Sequence, residues 1–379
     1  MKLLFNQSTL QRGYINSINS MKQYIVYLIL IFFFSPGMSA QTVFYDAAAF
    51  PLLGKISTET ETRYERLPAS LKGKTRAPVW HLGKNTSGLA VRFRTNSTAI
   101  SARWDLLEDV KMNHMTEVGI KGLDLYVWEN DHWQFVNSGR PSGKSNEKNI
   151  IANMMPKQRE YLLFLPLYDG LVKLELGIDS ASTILQPAWA FPQKNNPIVV
   201  YGTSITQGGC ATRPGMSYTN ILMRNFNREV INLGFSGNGQ LDYEIAEVMA
   251  KRKDAALFIL DFIPNVNAQQ IKDKTEKFVN IIRKDNNSTP ILFIETVIFP
   301  HSLYDKSMYA VLVEKNKLLR KEYEKMKNRG DKNVFYLSGK DLIGNDGEAT
   351  VDGIHFTDVG FMRFADGILP TIKNILKSR

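Results

Sequence analysis

The fold is decided by the stretch Ile198-Val-Val-Tyr-Gly-Thr-Ser-Ile-Thr-Gln-Gly-Gly209, in which a short apolar run passes directly into a glycine-flanked serine. Such a run predicts a buried strand, and a helix is expected to start near Ser217. A strand-to-helix turn lifts a serine hydroxyl above the sheet and exposes backbone N–H groups to a developing oxyanion. A polar loop or a phosphate-binding turn are the alternatives, although the lysine of a P-loop is absent. Ser204 is therefore a candidate nucleophile.

Short apolar runs alternate with longer helical patterns from this point to the end of the chain. Four more runs predict strands, at Val230–Leu233, Ala256–Asp261, Ile291–Glu295 and Val334–Leu337. Helical patterns cover Ala268–Arg283, Asp305–Lys327 and a segment after Asp358. This alternation predicts an α/β domain over 195–379, with a parallel sheet between two layers of helices. Ligands of such sheets bind beyond the carboxyl ends of the strands, where the candidate motifs fall.

The region before this domain has a different pattern. Short runs with alternating hydrophobicity, bounded by turn residues, recur from Val43 to Trp189, for example over 89–95, 99–104 and 123–128. This period of two predicts a β-sandwich over 41–190. The polar stretch at 193–196 marks the boundary between the two domains. Tryptophans of the sandwich could stack on sugar rings, but alternating strand positions favour a place in the core.

Residues 1–40 are typical of a secretory signal. An apolar run over 24–34 follows Lys22 and precedes small residues, and it is too short to span a bilayer. We predict cleavage after Ala40 and a periplasmic or secreted protein, with Met21 as an alternative start. The only cysteine, Cys210, has no intrachain partner and is expected to be a buried packing residue.

The net charge of +10 does not indicate nucleic-acid binding. Three of the basic residues lie in the first forty, and the rest are scattered without a helix-turn-helix, zinc-finger spacing or arginine-rich block. With 44% hydrophobic and 22% charged residues, the chain has the composition of a globular protein. Its length suits two domains.

An acid and a base for Ser204 are offered by Val351-Asp-Gly-Ile-His-Phe-Thr-Asp-Val-Gly360. His355 can accept a proton from a serine while Asp352 holds its other ring nitrogen, although a helix cap or surface loop is the alternative. Of the other histidines, those at 81, 114 and 132 belong to the sandwich and are expected to be structural. His301 follows a predicted strand and is a reserve candidate.

Two further strand ends carry possible oxyanion donors, Asn232-Leu-Gly-Phe-Ser-Gly-Asn-Gly239 and Leu260-Asp-Phe-Ile-Pro-Asn265. Glycine permits a close backbone approach, and an asparagine amide can donate to an oxyanion. Taken singly, both segments are typical of ordinary turns.

Together, these motifs closely resemble those of the SGNH (GDSL-type) hydrolases, in particular the bacterial members with an N-terminal β-sandwich. The resemblance covers about 195–379 and implies a three-layer α/β/α domain with a flavodoxin-like parallel sheet. It implies a nucleophile at Ser204, oxyanion donors at Ser204, Gly237 and Asn265, an orienting acid at Asp352 and a general base at His355. Gly234 and Asn238 are alternatives to Gly237 in a different register. Phe356 departs from the family, which usually has proline after the histidine.

The resemblance implies two-step acyl transfer without a metal or cofactor. We expect the substrate to be a small-molecule or oligosaccharide ester, with removal of acetyl groups from a glycan as the first interpretation. A lipase, thioesterase or other small-acyl esterase is the enzymatic alternative. A glycan-binding protein with a degenerate hydrolase domain is the non-enzymatic one.

Overall fold

The computed structural model describes residues 41–188 and 196–377. The predicted signal segment lies outside the described residues, as does most of the predicted domain boundary, and both stay predictions. Over the described ranges, none of the helices combines the length and the apolar character that a membrane crossing requires.

The N-terminal region consists of two antiparallel sheets. Its strands are β1 (Thr42–Asp46), β2 (Leu52–Leu53), β3 (Ala90–Thr95), β4 (Ile100–Leu106), β5 (Leu123–Glu129), β6 (His132–Gly139), β7 (Ser145–Ile151), β8 (Arg159–Phe164), β9 (Leu171–Asp179) and β10 (Ile184–Leu185). One sheet has the order β1-β9-β4-β7, and the other has the order β10-β3-β8-β5-β6, with β2 paired to β3. Two short helices, α1 (Ala77–Leu82) and α2 (Glu117–Lys121), lie in the connections.

The inner faces of these two sheets form one apolar core. Alternate residues of β3 and β8 point inward, so that Phe93 stacks on Tyr161 with ring centroids 5.4 Å apart. Trp104 of β4 is buried in the same core and donates its indole N–H to the carbonyl of Lys121 at 3.0 Å. Alternating strands with one buried face pack in this way, which confirms the predicted sandwich.

The C-terminal region is a five-stranded parallel sheet with helices between its strands. The strands are β11 (Ile198–Gly202), β12 (Val230–Gly234), β13 (Leu257–Asp261), β14 (Ile291–Ile294) and β15 (Val334–Leu337), in the order β12-β11-β13-β14-β15. The helices are α3 (Ser204–Gln207), α4 (Tyr218–Phe226), α5 (Tyr243–Ala250), α6 (Ala268–Asp285), α7 (Lys306–Asn328) and α8 (Asp358–Lys377). The strand order reverses beside β11, which is where a doubly wound sheet opens a ligand crevice.

Helices cover both faces of this sheet, because its strands are apolar on both sides. Ile198 and Val200 of β11 face a core that includes α4 and α8, whereas Val199 and Tyr201 face a core that includes α5, α6 and α7. The three-layer α/β/α architecture is therefore confirmed. The strands lie within one or two residues of their predicted positions. We did not predict the four-residue helix α3, which starts at Ser204 itself.

The sandwich packs directly against the α/β layer. Arg66, fully buried, donates hydrogen bonds to the carbonyls of Asn232 and Gly234 at the end of β12, at 3.1 and 2.9 Å. The same guanidinium donates to the carbonyls of Asn85 and Leu82. Because four backbone carbonyls surround this side chain, Arg66 joins two segments of the N-terminal region to the edge of the sheet that carries the candidate site.

Candidate active site

The candidate nucleophile lies at the first residue of α3. The strand β11 ends at Gly202, and Thr203 caps the short helix by accepting a hydrogen bond from the N–H of Ile205 at 3.3 Å. Gly208 ends the helix with φ of 108°, a left-handed conformation that glycine adopts without steric cost. Ser204 is largely buried, with 7% of its surface exposed.

The sandwich holds this turn from behind. Gln207, fully buried, donates to the side-chain oxygen of Asn85 at 3.0 Å and to the carbonyl of Leu167 at 3.2 Å. Its carbonyl accepts from the Ser87 hydroxyl at 2.5 Å, and its side-chain oxygen accepts from the N–H of Ser236 at 3.0 Å. A buried amide whose hydrogen bonds are all made fixes one geometry. The position of Ser204 therefore depends on residues of both regions.

The structure brings Asp352 and His355 to Ser204 from the loop between β15 and α8. His355 Nε2 lies 2.9 Å from Ser204 Oγ, and His355 Nδ1 lies 2.7 Å from Asp352 Oδ2. The N–H of Val351 donates to the carbonyl of His355 at 2.8 Å and closes the turn. Phe356, at the position where the resemblance implies a proline, is buried against Phe361 and Phe364, and this packing anchors the loop.

Asp352 is held in its ionised form. Burial alone would raise its pKa, but hydrogen bonds from the His355 ring and from the backbone N–H groups of His355 and Ile354 lower the pKa of Asp352 to about 2. The carboxylate therefore carries its negative charge over the whole physiological range, where it can stabilise a protonated His355. His301 Nδ1, of the reserve candidate, lies 2.8 Å from the carbonyl of Gly353 in the same turn, whereas His355 is the histidine at hydrogen-bond distance from Ser204.

Among the possible oxyanion donors, two alternatives are already engaged. The N–H of Gly234 donates to the Asn232 side chain at 2.8 Å, and the N–H of Asn238 donates to the carbonyl of Phe235 at 2.8 Å. Gly237 lies between them in an exposed turn with φ of 67°, and the part of the chain that the structure describes offers its N–H no acceptor. This arrangement favours Gly237 as the donor.

Asn265 is oriented by its neighbour. The N–H of Gly239 donates to Asn265 Oδ1 at 3.1 Å, which leaves the Nδ2 amide of the same side chain available to an oxyanion. Gly239 is itself packed against β11, because a Cβ there would lie 2.3 Å from the carbonyl oxygen of Gly202. Close backbone packing thus sets the distance between Asn265 and the nucleophile turn.

A buried polar cluster beneath the nucleophile was not predicted. Asp261, at the end of β13, accepts hydrogen bonds from Thr206 at 3.1 Å and Tyr218 at 2.9 Å. Burial raises the pKa of Asp261 to about 7, even though these two hydrogen bonds act to lower it. The sequence did contain a signal for this cluster. Asp261 lies at the end of a predicted strand, in the segment quoted for Asn265, and Thr206 lies in the turn after a neighbouring strand.

The site also contains two residues that we expected to be structural. The ring of His114, from the loop before α2, lies 5.5 Å from the ring of His355, so the prediction that His114 plays only a structural part in the sandwich overlooks this contact. Cys210 is 4% exposed, and burial together with the charge of Asp352 raises the pKa of its thiol to about 12. The cysteine is therefore a neutral thiol that does not compete with Ser204 as a nucleophile.

A further contact between the regions lies after the turn that carries Ser204. Asp124, fully buried in β5, accepts from Arg213 at 2.7 Å and from the N–H of Gly215 at 2.8 Å, while Tyr126 accepts from Arg213 at 2.6 Å. Burial raises the pKa of Asp124, and the charge of Arg213 and the hydrogen bonds from Ser138, Arg213 and Gly215 counteract this effect.

Two family models match the chain. Residues 195–373 match the GDSL-like lipase/acylhydrolase family. Residues 42–184 match a model named GxDLY, described as the N-terminus of SGNH-hydrolase-type esterases, and the chain carries that pattern at Gly122–Tyr126. Comparison with curated proteins finds no match.

Solved structures agree with these models. A protein from Bacteroides ovatus described as a GDSL-like lipase is 37% identical, with a TM-score of 0.85, over 89% of this chain and 98% of the other. The salicylyl-acyltransferase SsfX3 of a tetracycline biosynthetic pathway is 18% identical, with a TM-score of 0.71 over the same shares. A family two carbohydrate esterase from Cellvibrio japonicus is 13% identical, with a TM-score of 0.56, over 89% of this chain and 99% of the other.

Proposed function

The chain belongs to the GDSL-like lipase/acylhydrolase family and is a serine ester hydrolase, and from this premise we propose that it removes acetyl groups from a carbohydrate. In this proposal Ser204 is the nucleophile, His355 the general base and Asp352 the orienting acid. The predicted signal segment extends the proposal to a periplasmic or secreted enzyme.

The observation that carries the proposal is the continuous hydrogen-bond path from Ser204 Oγ to His355 and on to Asp352, at 2.9 and 2.7 Å. His355 takes the proton of Ser204 as the hydroxyl attacks the ester carbonyl, and Asp352 stabilises the imidazolium that forms. The imidazolium returns the proton to the leaving alcohol. Water then attacks the acyl-enzyme with His355 again as base, which releases the acid and restores the serine.

The negative charge on the carbonyl oxygen requires donors that are in place before the reaction. The N–H groups of Ser204 and Gly237 and the amide of Asn265 fill this role in the proposal. Each donor is worth about 3 kcal/mol of transition-state stabilisation where such donors have been removed. Asn265 is fixed by Gly239 and does not need to reorganise during the reaction.

A carbohydrate substrate is supported by the surface beside the site. A groove of about 410 Å³ lies at the carboxyl ends of β14 and β15, and its lining includes Tyr304, Tyr309, Asp341 and Asn345. Tyr304 is 92% exposed, and an exposed tyrosine with nearby carboxylate and amide groups suits the stacking and hydrogen bonding of a sugar ring. Pro300 and Leu303 also line this groove, and His301 between them lies 2.8 Å from the carbonyl of Gly353, in the turn of Asp352 and His355. The likeness to a carbohydrate esterase adds to this support.

A lipase or small-acyl esterase is the second candidate, favoured by the 37% identity to the GDSL-like lipase. Val351 and Ile354, which flank Asp352, are 48% and 36% exposed and could contact a longer acyl chain. The two candidates differ in the expected dependence on acyl length. A carbohydrate deacetylase prefers acetate and loses activity from butyrate onward, whereas a lipase gains activity with chain length.

The proposal is tested in two steps with the purified mature protein. A fluorophosphonate probe should label the wild type but not the Ser204→Ala variant, and an unlabelled wild type would instead indicate a binding protein with a degenerate site. Acetate release from acetylated oligosaccharides, compared with hydrolysis of p-nitrophenyl acetate, butyrate and octanoate, then decides the substrate class. Highest turnover on the octanoate ester would overturn the deacetylase proposal and leave the esterase intact.

A further inference from the structure

The Asp352–His355 pair has two neighbours that ester hydrolysis does not use. His114 reaches the pair from the sandwich, with its ring tilted 52° to that of His355. Cys210 reaches it from the turn that follows the nucleophile, with its backbone in the left-handed region at φ of 71°. These side chains come from three distant segments of the chain, so the fold alone brings them together.

The four residues present ligand atoms at the spacing of a metal site. One ligand atom each from His114, Cys210, Asp352 and His355 lies within 4.8 Å of the other three. In a tetrahedral zinc site with bonds of 2.0–2.3 Å, ligand atoms lie about 3.3 to 3.8 Å apart. Side-chain shifts of about 1 Å would therefore close the cluster around one ion.

The chemistry of the donors selects the ion. Two imidazoles, a thiolate and a carboxylate form a mixed nitrogen, sulfur and oxygen set that suits Zn²⁺. Calcium and magnesium prefer oxygen ligands only and would not use the histidines or the cysteine. The site also has an outer partner, since His114 Nδ1 lies 3.0 Å from the side-chain oxygen of Asn113. An N–H donated to that oxygen leaves Nε2 of His114 with its lone pair free for a metal.

We propose that His114, Cys210, Asp352 and His355 form an inhibitory Zn²⁺ site that shares two residues with the catalytic apparatus. Zinc binding displaces the thiol proton of Cys210 to solvent, and the four side chains donate lone pairs to the ion without any change of oxidation state. Both ring nitrogens of His355 are engaged in the active arrangement, one by Ser204 and one by Asp352. Ligation through either nitrogen breaks one of these hydrogen bonds, so the zinc-bound enzyme cannot activate Ser204.

The inhibition rests on the proposed function, whereas the metal site can be tested without it. Zinc is titrated into metal-free wild-type enzyme during hydrolysis of p-nitrophenyl acetate, and activity should fall and return on addition of EDTA. The Cys210→Ser and His114→Ala variants should keep their basal activity and require about tenfold or more zinc for half-inhibition. His132→Ala is the matched control, because this exposed histidine of the sandwich lies outside the cluster, and its zinc sensitivity should equal that of the wild type.

Direct binding is measured with Co²⁺ as a zinc substitute in the Ser204→Ala variant, which needs no activity. One equivalent should produce a thiolate-to-cobalt absorption band, and the additional change Cys210→Ser should abolish it. The proposal is overturned if the band is absent, or if Cys210→Ser and His114→Ala are inhibited at the wild-type zinc concentration. A cobalt band in a protein without esterase activity would sustain the metal site and refute the proposed function alone.

Discussion

The turn that carries Ser204 and the turn that carries Asp352 and His355 are held in place in opposite ways, although one hydrogen bond joins them. Ser204 is 7% exposed and Gln207 is fully buried, and side chains of the sandwich hold the turn from below. The side chains of Asp352 and His355 are 35% and 20% exposed, and most of the hydrogen bonds that shape their turn come from its own backbone. Ser204 is therefore placed by the tertiary structure of two regions, whereas Asp352 and His355 are placed mainly by a local turn.

The largest expected effect is the loss of kcat on substitution of Ser204, compared with that on substitution of Asp352. Ser204→Ala removes the attacking atom, and we expect kcat to fall on the order of 10⁵- to 10⁶-fold with p-nitrophenyl acetate. Asp352→Ala leaves the serine and the base in place but removes the charge that stabilises the imidazolium, so a loss on the order of 10³- to 10⁴-fold is expected. Steady-state kinetics of the two purified variants measures the difference.

The control for this pair is Asp366→Ala, which removes an exposed carboxylate from α8 and should leave kcat unchanged. A loss in Asp352→Ala as large as in Ser204→Ala would mean that the acid–base turn collapses without its aspartate. The turn would then not be the self-contained element that its backbone hydrogen bonds indicate.

The next effect concerns the support from the sandwich. Gln207→Ala leaves the Asn85 side chain and the N–H of Ser236 without their partner in a buried environment, and each such group costs about 1–3 kcal/mol. We expect the free energy of unfolding to fall by about 3 kcal/mol. Displacement of Ser204 should lower kcat by about 10- to 100-fold, because a shift of 1 Å is enough for such a loss.

Urea unfolding and kinetics of the same preparation test this prediction. Gln269→Ala is the matched control, since this glutamine is exposed on α6 and its side chain donates to Asp273, four residues further on the same helix. Its stability should stay within about 0.5 kcal/mol of the wild type. Equal stability of the two variants would show that the sandwich does not hold the nucleophile turn.

The same contrast explains what the sequence could predict. The strand before Ser204 could be predicted because a buried parallel strand is a continuous apolar run, and Asp352 and His355 could be predicted because they lie three residues apart in one motif. Asn85, Ser87 and His114 could not, because their contacts to the site join segments more than 90 residues apart. Their polar side chains gain partners only when the two regions pack together, and no local pattern records that event.

The loop that carries Gly237 and Gly239 shows the same contrast between an exposed position and a tightly packed one. A Cβ at Gly239 would lie 2.3 Å from the carbonyl oxygen of Gly202, whereas a Cβ at Gly237 would meet nothing within 4 Å. Gly239→Ala must therefore displace the backbone beside the nucleophile and Asn265, and we expect kcat to fall about tenfold or more. Gly237→Ala keeps its N–H and carries only the cost of a left-handed φ, about 1–2 kcal/mol.

Kinetics and thermal unfolding of both glycine variants distinguish the two positions. Gly237→Pro removes the N–H that the proposal assigns to the oxyanion, but proline also forces φ from 67° to about −65°, so only retained activity in this variant is decisive. A kcat for Gly237→Pro equal to that of Gly237→Ala would exclude this N–H as a donor.

The smallest expected effect concerns the pH dependence of stability that arises from the buried residue Asp261. Burial raises the pKa of Asp261 to about 7 in the folded protein, above its ordinary value of 3.8. The folded state therefore holds a proton that the unfolded state has lost between these two values, and stability should fall as the pH rises through this window. Asp261→Asn cannot ionise, so its Tm should exceed that of the wild type by about 2–4 °C at pH 8 and not at pH 4. Asp366→Asn, at an exposed carboxylate, is the control and should show no such difference in Tm. If the Tm of Asp261→Asn exceeded that of the wild type equally at both pH values, Asp261 would not take up its proton in this range.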